Sequence, residues 1–178
     1  MVRTEGCDLL VTRAGTAERH VFATASEAEG RAAFINEALS WVGTPFGDCC
    51  DVKGPNGVVD CAMLLVRSAV DTGRLAPFDP RPYSPRHMLH RREQKFIGWL
   101  TQLGAHAVPE PQVGDVVLWQ FGRTFSHGAV LINSQEVVHA YGAAGCALVT
   151  RLDEPLLRFF PLAQGNIPRP VRYFDLWG

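Results

Sequence analysis

The sequence predicts an α+β fold in which helices come first and pack on a later antiparallel sheet. Two observations carry this. From about residue 26 to residue 104 apolar residues recur at helical spacing, and from residue 113 onward the period changes to two. Strands and helices do not alternate along the chain, so a βαβ architecture is not expected. The 178 residues suit one domain with a proper hydrophobic core.

Taken in order, CDLLVTR (7–13) and RHVFAT (19–24) flank an Ala-Gly-Thr turn. They read as a hairpin, making residues 1–25 an extension ahead of a main domain over 26–178. Ser26 and Glu29 then form a capping box, and Ala28, Ile35, Ala38, Leu39 and Val42 mark one apolar face of a helix that Gly43 and Pro45 end. TPFGDCCDVKGPNGVV (44–59) is too rich in glycine and proline for a regular element. Asp60 is a good N-cap for the next helix, with Leu64 and Leu65 inward and Gly73 as its stop. A third helix is expected to open at Ser84-Pro85, carry Leu89, Phe96, Leu100 and Leu103, and close at Gly104. Residues 116–120, 127–133, 136–141, 147–152 and 171–176 read as short strands.

Composition narrows the function. A net charge of −1 argues against nucleic acid or an anionic membrane as the main partner, since both demand a basic field. The densest basic run, RHMLHRREQK (86–95), reads as a solvated helix face. MVRTEGCDLL has no apolar core long enough for a signal peptide, and nothing resembles a membrane span. Synthesis and folding in the cytoplasm are expected, with some route other than a cleavable signal if the protein acts outside. Cysteines at 7, 49, 50, 61 and 146 are odd in number and irregular in spacing, so no disulfide framework is expected. No CxxC pair exists, and neither a metal nor a cofactor is expected.

Cys61 stands out. A cysteine is most often inert core packing. This one sits in the first turn of a helix, where free N–H groups and the positive dipole end favour a thiolate and lower its pKa. A glycine-rich loop lies immediately before it, free to shape the chain around an exposed sulfur. Histidines lie in the sheet that this helix must cover. If strands 127–133 and 136–141 turn about Ser134, then 127 faces 141 and 129 faces 139. His127 and His139 become diagonal neighbours on one face, about 7–8 Å apart by backbone position, close enough for their rings to interact. A Cys–His pair needs such an arrangement: one imidazole takes the thiol proton and a further polar group orients it.

The order of these segments resembles the NlpC/P60 family of cysteine peptidases. The carriers are DC (60–61) at a helix start, VGDVVLWQF (113–121), SHGAVLI (126–132) and VVHAY (137–141). WVGTPF (41–46) and YSP (83–85) are similar to the phage-type branch, found in tail-assembly and gene-transfer-agent proteins. The resemblance spans roughly residues 30–155. It implies a papain-like fold with Cys61 as nucleophile, His127 as general base and His139 orienting the base. It further implies no metal, a peptidoglycan stem-peptide substrate cut at an amide bond, and Asp60 recognising the substrate's free amine beside its N-cap role. Tail or gene-transfer-agent proteins are implied as partners, with delivery to the cell envelope on a particle. The chain departs from the pattern at Ala62, where a serine is usual, at Met63, where a glycine is usual, and at Phe46, where a tyrosine is frequent. Ala62 and Phe46 are therefore expected to line a less polar substrate cleft. A structural particle component with weak or lost catalysis, and an amidase or acyltransferase acting on a non-murein substrate, remain as alternatives. Whether Cys49 and Cys50 border the cleft is open.

Overall fold

The computed structural model describes residues 26–84, 92–160 and 167–178. The hairpin expected over residues 7–24 lies outside them, as does the expected helix start at Pro85. The first helix, α1 (Glu27–Leu39), opens with the anticipated capping box: Glu29 N–H donates to Ser26 Oγ at 3.3 Å and Ser26 N–H to Glu29 Oε2 at 2.8 Å. Its buried face is rotated from the expected one. Phe34 and Ala38 face inward with Arg31, whereas Ala28 and Val42 are exposed. The cause is a charge that apolar periodicity does not count. The Arg31 guanidinium turns into the protein and pairs with Asp115 at 2.6 Å, Asp175 at 2.8 Å and Glu27 at 2.8 Å.

The loop expected over 44–59 contains a regular element after all. Two short strands, β1 (Asp51–Val52) and β2 (Val58–Val59), pair antiparallel. Glycine and proline build the turn between them rather than preventing the pairing. A Cβ on Gly57 would sit 1.9 Å from the Val52 carbonyl oxygen, so only glycine fits there. Asp60 then caps α2 (Cys61–Asp71) as expected, accepting from Met63 N–H at 2.8 Å. Leu64 and Leu65 are buried.

The next helix, α3 (Lys95–Gln102), buries Phe96 and Leu100. It starts at Lys95, because residues 92–94 are not helical. Gln94, at the N-cap, sends its side chain to the sheet instead of to its own helix: Oε1 accepts from Phe125 N–H at 2.9 Å. Six strands follow: β3 (His106–Val108), β4 (Val116–Phe121), β5 (Thr124–Leu131), β6 (Glu136–Tyr141), β7 (Cys146–Arg151) and β8 (Val171–Asp175). A short helix, α4 (Pro155–Arg158), lies between the last two. The sheet order is β3-β8-β4-β5-β6-β7, with every neighbouring pair antiparallel. Of these strands, β3 is the one that sequence periodicity does not mark.

Alternation along the strands builds two cores. Val116, Leu118, Val130, Val138 and Ala140 face the helices. Val117, Trp119, Ala129, Leu131 and Val137 face Leu157 on the other side. The helices close onto the sheet at Gly128 of β5. A Cβ there would meet Leu65 Cδ1 at 2.7 Å and Phe96 Cζ at 2.8 Å, so the missing side chain lets α2 and α3 approach. Gly128→Ala should therefore cost about 1–3 kcal/mol by overpacking. Urea unfolding of the two proteins measures it; an unchanged midpoint would show that α2 and α3 have room to shift.

Candidate active site

The hairpin of β5 and β6 has the anticipated register, with Val130 opposite Val138 and Leu131 opposite Val137. Pairing is confined to those two positions. Beyond them the strands splay, and a register shift between Trp119 and Gln120 further re-aims β5 at this end. His127 and His139 share a side, as expected, and their rings meet directly: His127 Nε2 lies 2.7 Å from His139 Nδ1. By alternation His127 goes with Ala129 and Leu131, and His139 with Val137, on the face away from the apolar stripe of α2. The Cys61 thiol meets the splayed end from the helix side, donating to the Ser126 carbonyl at 3.8 Å.

Cys61, His127, Asp60, Ala62 and Phe46 thus line one cleft of about 230 Å³, together with Tyr83, Trp99, Phe121 and Tyr141. Met63, the other departure from the family pattern, is core, 1% exposed. His139 stands behind His127, fully buried, with Nε2 3.0 Å from Thr150 Oγ1 on β7. Aromatic rings hold His127 in place, with Phe121 at 5.1 Å, Tyr141 at 5.2 Å and Trp119 at 5.9 Å between ring centres.

The Asp60 carboxylate organises the opposite wall. Besides capping α2, it accepts from Cys49 N–H at 2.7 Å and from the Tyr83 hydroxyl at 2.5 Å through Oδ2. Cys49 has φ 57, an uncommon conformation for a residue with a side chain, and this turn aims its amide at Asp60. Its thiol donates to the Tyr83 carbonyl at 3.2 Å, while the Cys50 thiol turns away to the Asp48 carbonyl at 3.3 Å. Arg81 braces this wall by donating to Asp51 at 2.9 Å and to the Cys49 carbonyl at 3.3 Å. Tyr83, which the sequence marks only as part of a helix entry, therefore brings a hydroxyl into the cleft that Phe46 and Ala62 lack.

The electrostatics overturn one expectation. Cys61 begins α2, but its thiol is not acidified. Although part of the residue opens to the cleft, close packing around the sulfur and then the Asp60 charge push its pKa up to about 12. The amides of Gly128, Cys61 and Ala62 oppose that rise without overcoming it. Burial, then His139 and Arg169, hold His127 well below the ordinary imidazole value. The thiol and the imidazole that share the cleft both rest neutral.

No protein-family model matches the chain, and no curated protein matches it. Solved structures do. The chain is similar to the peptidoglycan hydrolase RipB from Mycobacterium tuberculosis, with a TM-score of 0.54 and 18% identity over 94% of this chain and 75% of that one. It is similar to the P60 domain of an antigen from M. avium subspecies paratuberculosis, with a TM-score of 0.50 and 16% identity over 85% and 97% of the two chains. NlpC1 from Trichomonas vaginalis gives a TM-score of 0.52 at 11% identity, over 84% of this chain and 44% of that one. The fold is accordingly the α+β, papain-like NlpC/P60 fold.

Burial of the histidine pair makes stability depend on pH. Burial lowers the His139 pKa from 6.5 to about 4. Between those values the unfolded chain takes up a proton that the folded protein refuses, so this stability is full above pH 6.5 and is lost as pH falls towards 4. Urea unfolding at a series of pH values should show that decline in the wild type and a flatter profile in His139→Gln. Equal slopes would mean that His139 does not titrate in this window.

Proposed function

We propose that the protein is a thiol hydrolase that cuts an amide bond in peptidoglycan stem peptides, with Cys61 as nucleophile, His127 as general base and His139 orienting it. The observation that carries this reading is the chain of contacts from His127 to His139 to Thr150, set in the same cleft as Cys61. Proton logic follows from it. His127 Nε2 is engaged by His139, which leaves Nδ1 to accept the thiol proton. For Nδ1 to be basic, Nε2 carries the hydrogen and donates to His139 Nδ1. His139 then carries its own hydrogen on Nε2 and donates to Thr150 Oγ1. Thr150 is a positioning residue: with its oxygen accepting from His139 Nε2 it holds His139, and through it His127, in these tautomers.

Because both partners rest neutral, proton transfer accompanies attack rather than preceding it. The Cys61 sulfur bonds to the amide carbonyl carbon as its proton passes to His127 Nδ1. The developing oxyanion finds the Cys61 backbone N–H at the helix start. The imidazolium then protonates the leaving nitrogen, the C–N bond breaks, and a thioester remains. Water, losing a proton to His127, attacks that thioester and releases a carboxylic acid and the free thiol. On the opposite wall Asp60 and Tyr83 suit recognition of a substrate amine. Delivery on a particle rests on the similarity of WVGTPF and YSP to the phage-type branch, and the two segments bring Phe46 and Tyr83 to the cleft.

Digestion of purified peptidoglycan, with fragments identified by mass spectrometry, tests the activity. Wild type should release stem-peptide fragments, and Cys61→Ala should lower the rate by at least ~10⁴-fold. Comparable release by both proteins would remove Cys61 from the mechanism. Thr150→Val should lower kcat roughly tenfold through one lost hydrogen bond in a buried relay, with KM little changed. Thr150→Ser keeps the hydroxyl and should restore most of the rate; if Ser and Val behave alike, the tautomer role fails.

A further inference from the structure

Three aromatic rings run in series from Asp60 along the cleft, and the proposed mechanism uses nothing of them beyond the Tyr83 hydroxyl. Tyr83 donates that hydroxyl to Asp60, and its ring lies 5.4 Å from the ring of Trp99. Trp99 lies 5.8 Å from Phe96, which closes the series against the core. All three line the cleft with Cys61, and Tyr83 and Trp99 are only half-buried, so their faces meet solvent there. Phe46 adds a fourth ring, seated where a Cβ on Gly142 would meet its Cε1 at 3.3 Å. Ala62 presents a methyl where a serine is usual. Among the described residues that line the cleft, the carboxylates are Asp48 and Asp60, and none is lysine or arginine.

Such walls favour an apolar group. An anion finds no cation on them, whereas a ring or a branched chain finds rings and a methyl, and covering those surfaces releases water from them. Room is sufficient: the cleft holds about 230 Å³, and an apolar protein cavity of ~150 Å³ already takes a benzene ring. Asp60 and Trp99 both touch Tyr83, so the carboxylate and the ring surface lie one side chain apart. Groups on a single α-carbon can reach both. We infer that the substrate residue whose amine meets Asp60 carries a large apolar side chain, aromatic or branched, that packs on Tyr83 and Trp99. This rests on the hydrolase reading, with Asp60 taking the amine. It extends the substrates from stem peptides that begin with alanine, whose methyl would leave these rings wet, to peptides that begin with an aromatic or branched residue.

Two measurements decide it. The first compares kcat/KM for two peptides that differ in one residue, L-Ala-γ-D-Glu-diamino acid and L-Phe-γ-D-Glu-diamino acid. Wild type should prefer the phenylalanyl peptide by at least about tenfold, the lower end of what added apolar groups supply in a hydrophobic pocket. Trp99→Ala should bring the ratio near one, and Trp99→Phe, which keeps a ring, should retain part of it. A wild type without the preference, or a Trp99→Ala that retains it, overturns the inference while leaving the hydrolase reading intact. The second uses Cys61→Ala protein, which cuts nothing under that reading, and follows the Trp99 indole N–H resonance during titration with L-phenylalaninamide and with L-alaninamide. A saturable shift at lower concentrations of the phenylalanine amide supports the surface; equal responses, or none, overturn it. If wild type cuts neither peptide, the stem-peptide reading falls and this titration alone decides the role of the rings. Because the titration keeps Trp99 in place, it also decides the matter if Trp99→Ala fails to fold.

Discussion

The approach of α2 to β5 across Gly128 is the constraint on which the rest depends. Leu65 and Phe96 occupy the space that any side chain at 128 would claim. That contact carries the start of α2 down to the end of β5 where the ladder with β6 has stopped. A sheet paired to its ends would separate Cys61 on one face from the two histidines on the other. Here the splayed ends open a passage: Cys61 reaches the Ser126 carbonyl from the helix side while His127 and His139 meet on the opposite side. The site is a defect in a sheet, held open by a close-packed helix.

The two walls of the cleft have different electrostatic characters. Asp60 brings negative charge beside the sulfur and, with burial, opposes its ionisation. Arg169 brings positive charge near His127 and, after burial and His139, opposes protonation there. Both act against an ion pair between thiolate and imidazolium in the resting protein. The Cys49 amide and the Tyr83 hydroxyl, both donating to Asp60, fix the carboxylate wall as His139 and Thr150 fix His127.

What is legible in the sequence is local. Ser26 with Glu29, and Asp60 before α2, act within one helical turn, so their spacing alone declares them. The register of β5 and β6 follows from the few residues of their turn, and that register by itself brings His127 and His139 to one side. The rest depends on long-range meetings. Arg31 looks like a surface residue until Asp115 and Asp175 come to it from distant segments. Thr150 reaches His139 only because β7 pairs with β6, and Tyr83 reaches Asp60 across a connection whose path no period describes. The acidity of the thiol escapes sequence reasoning for the same reason: a helix start is visible in a sequence, but the packing around a sulfur is not.

The position of β8 has a bearing on how the chain folds. It is made after every other described element, yet it lies inside the sheet, between β3 and β4. Asp175 at its end also supplies one of the carboxylates that hold α1 through Arg31. During synthesis the earlier strands therefore wait with a central edge unfilled and a buried cation short of a partner. Such long-range closure is slow compared with helix formation. The centre of the sheet is thus closed by the last of the described elements to be made, after the strands on either side of it.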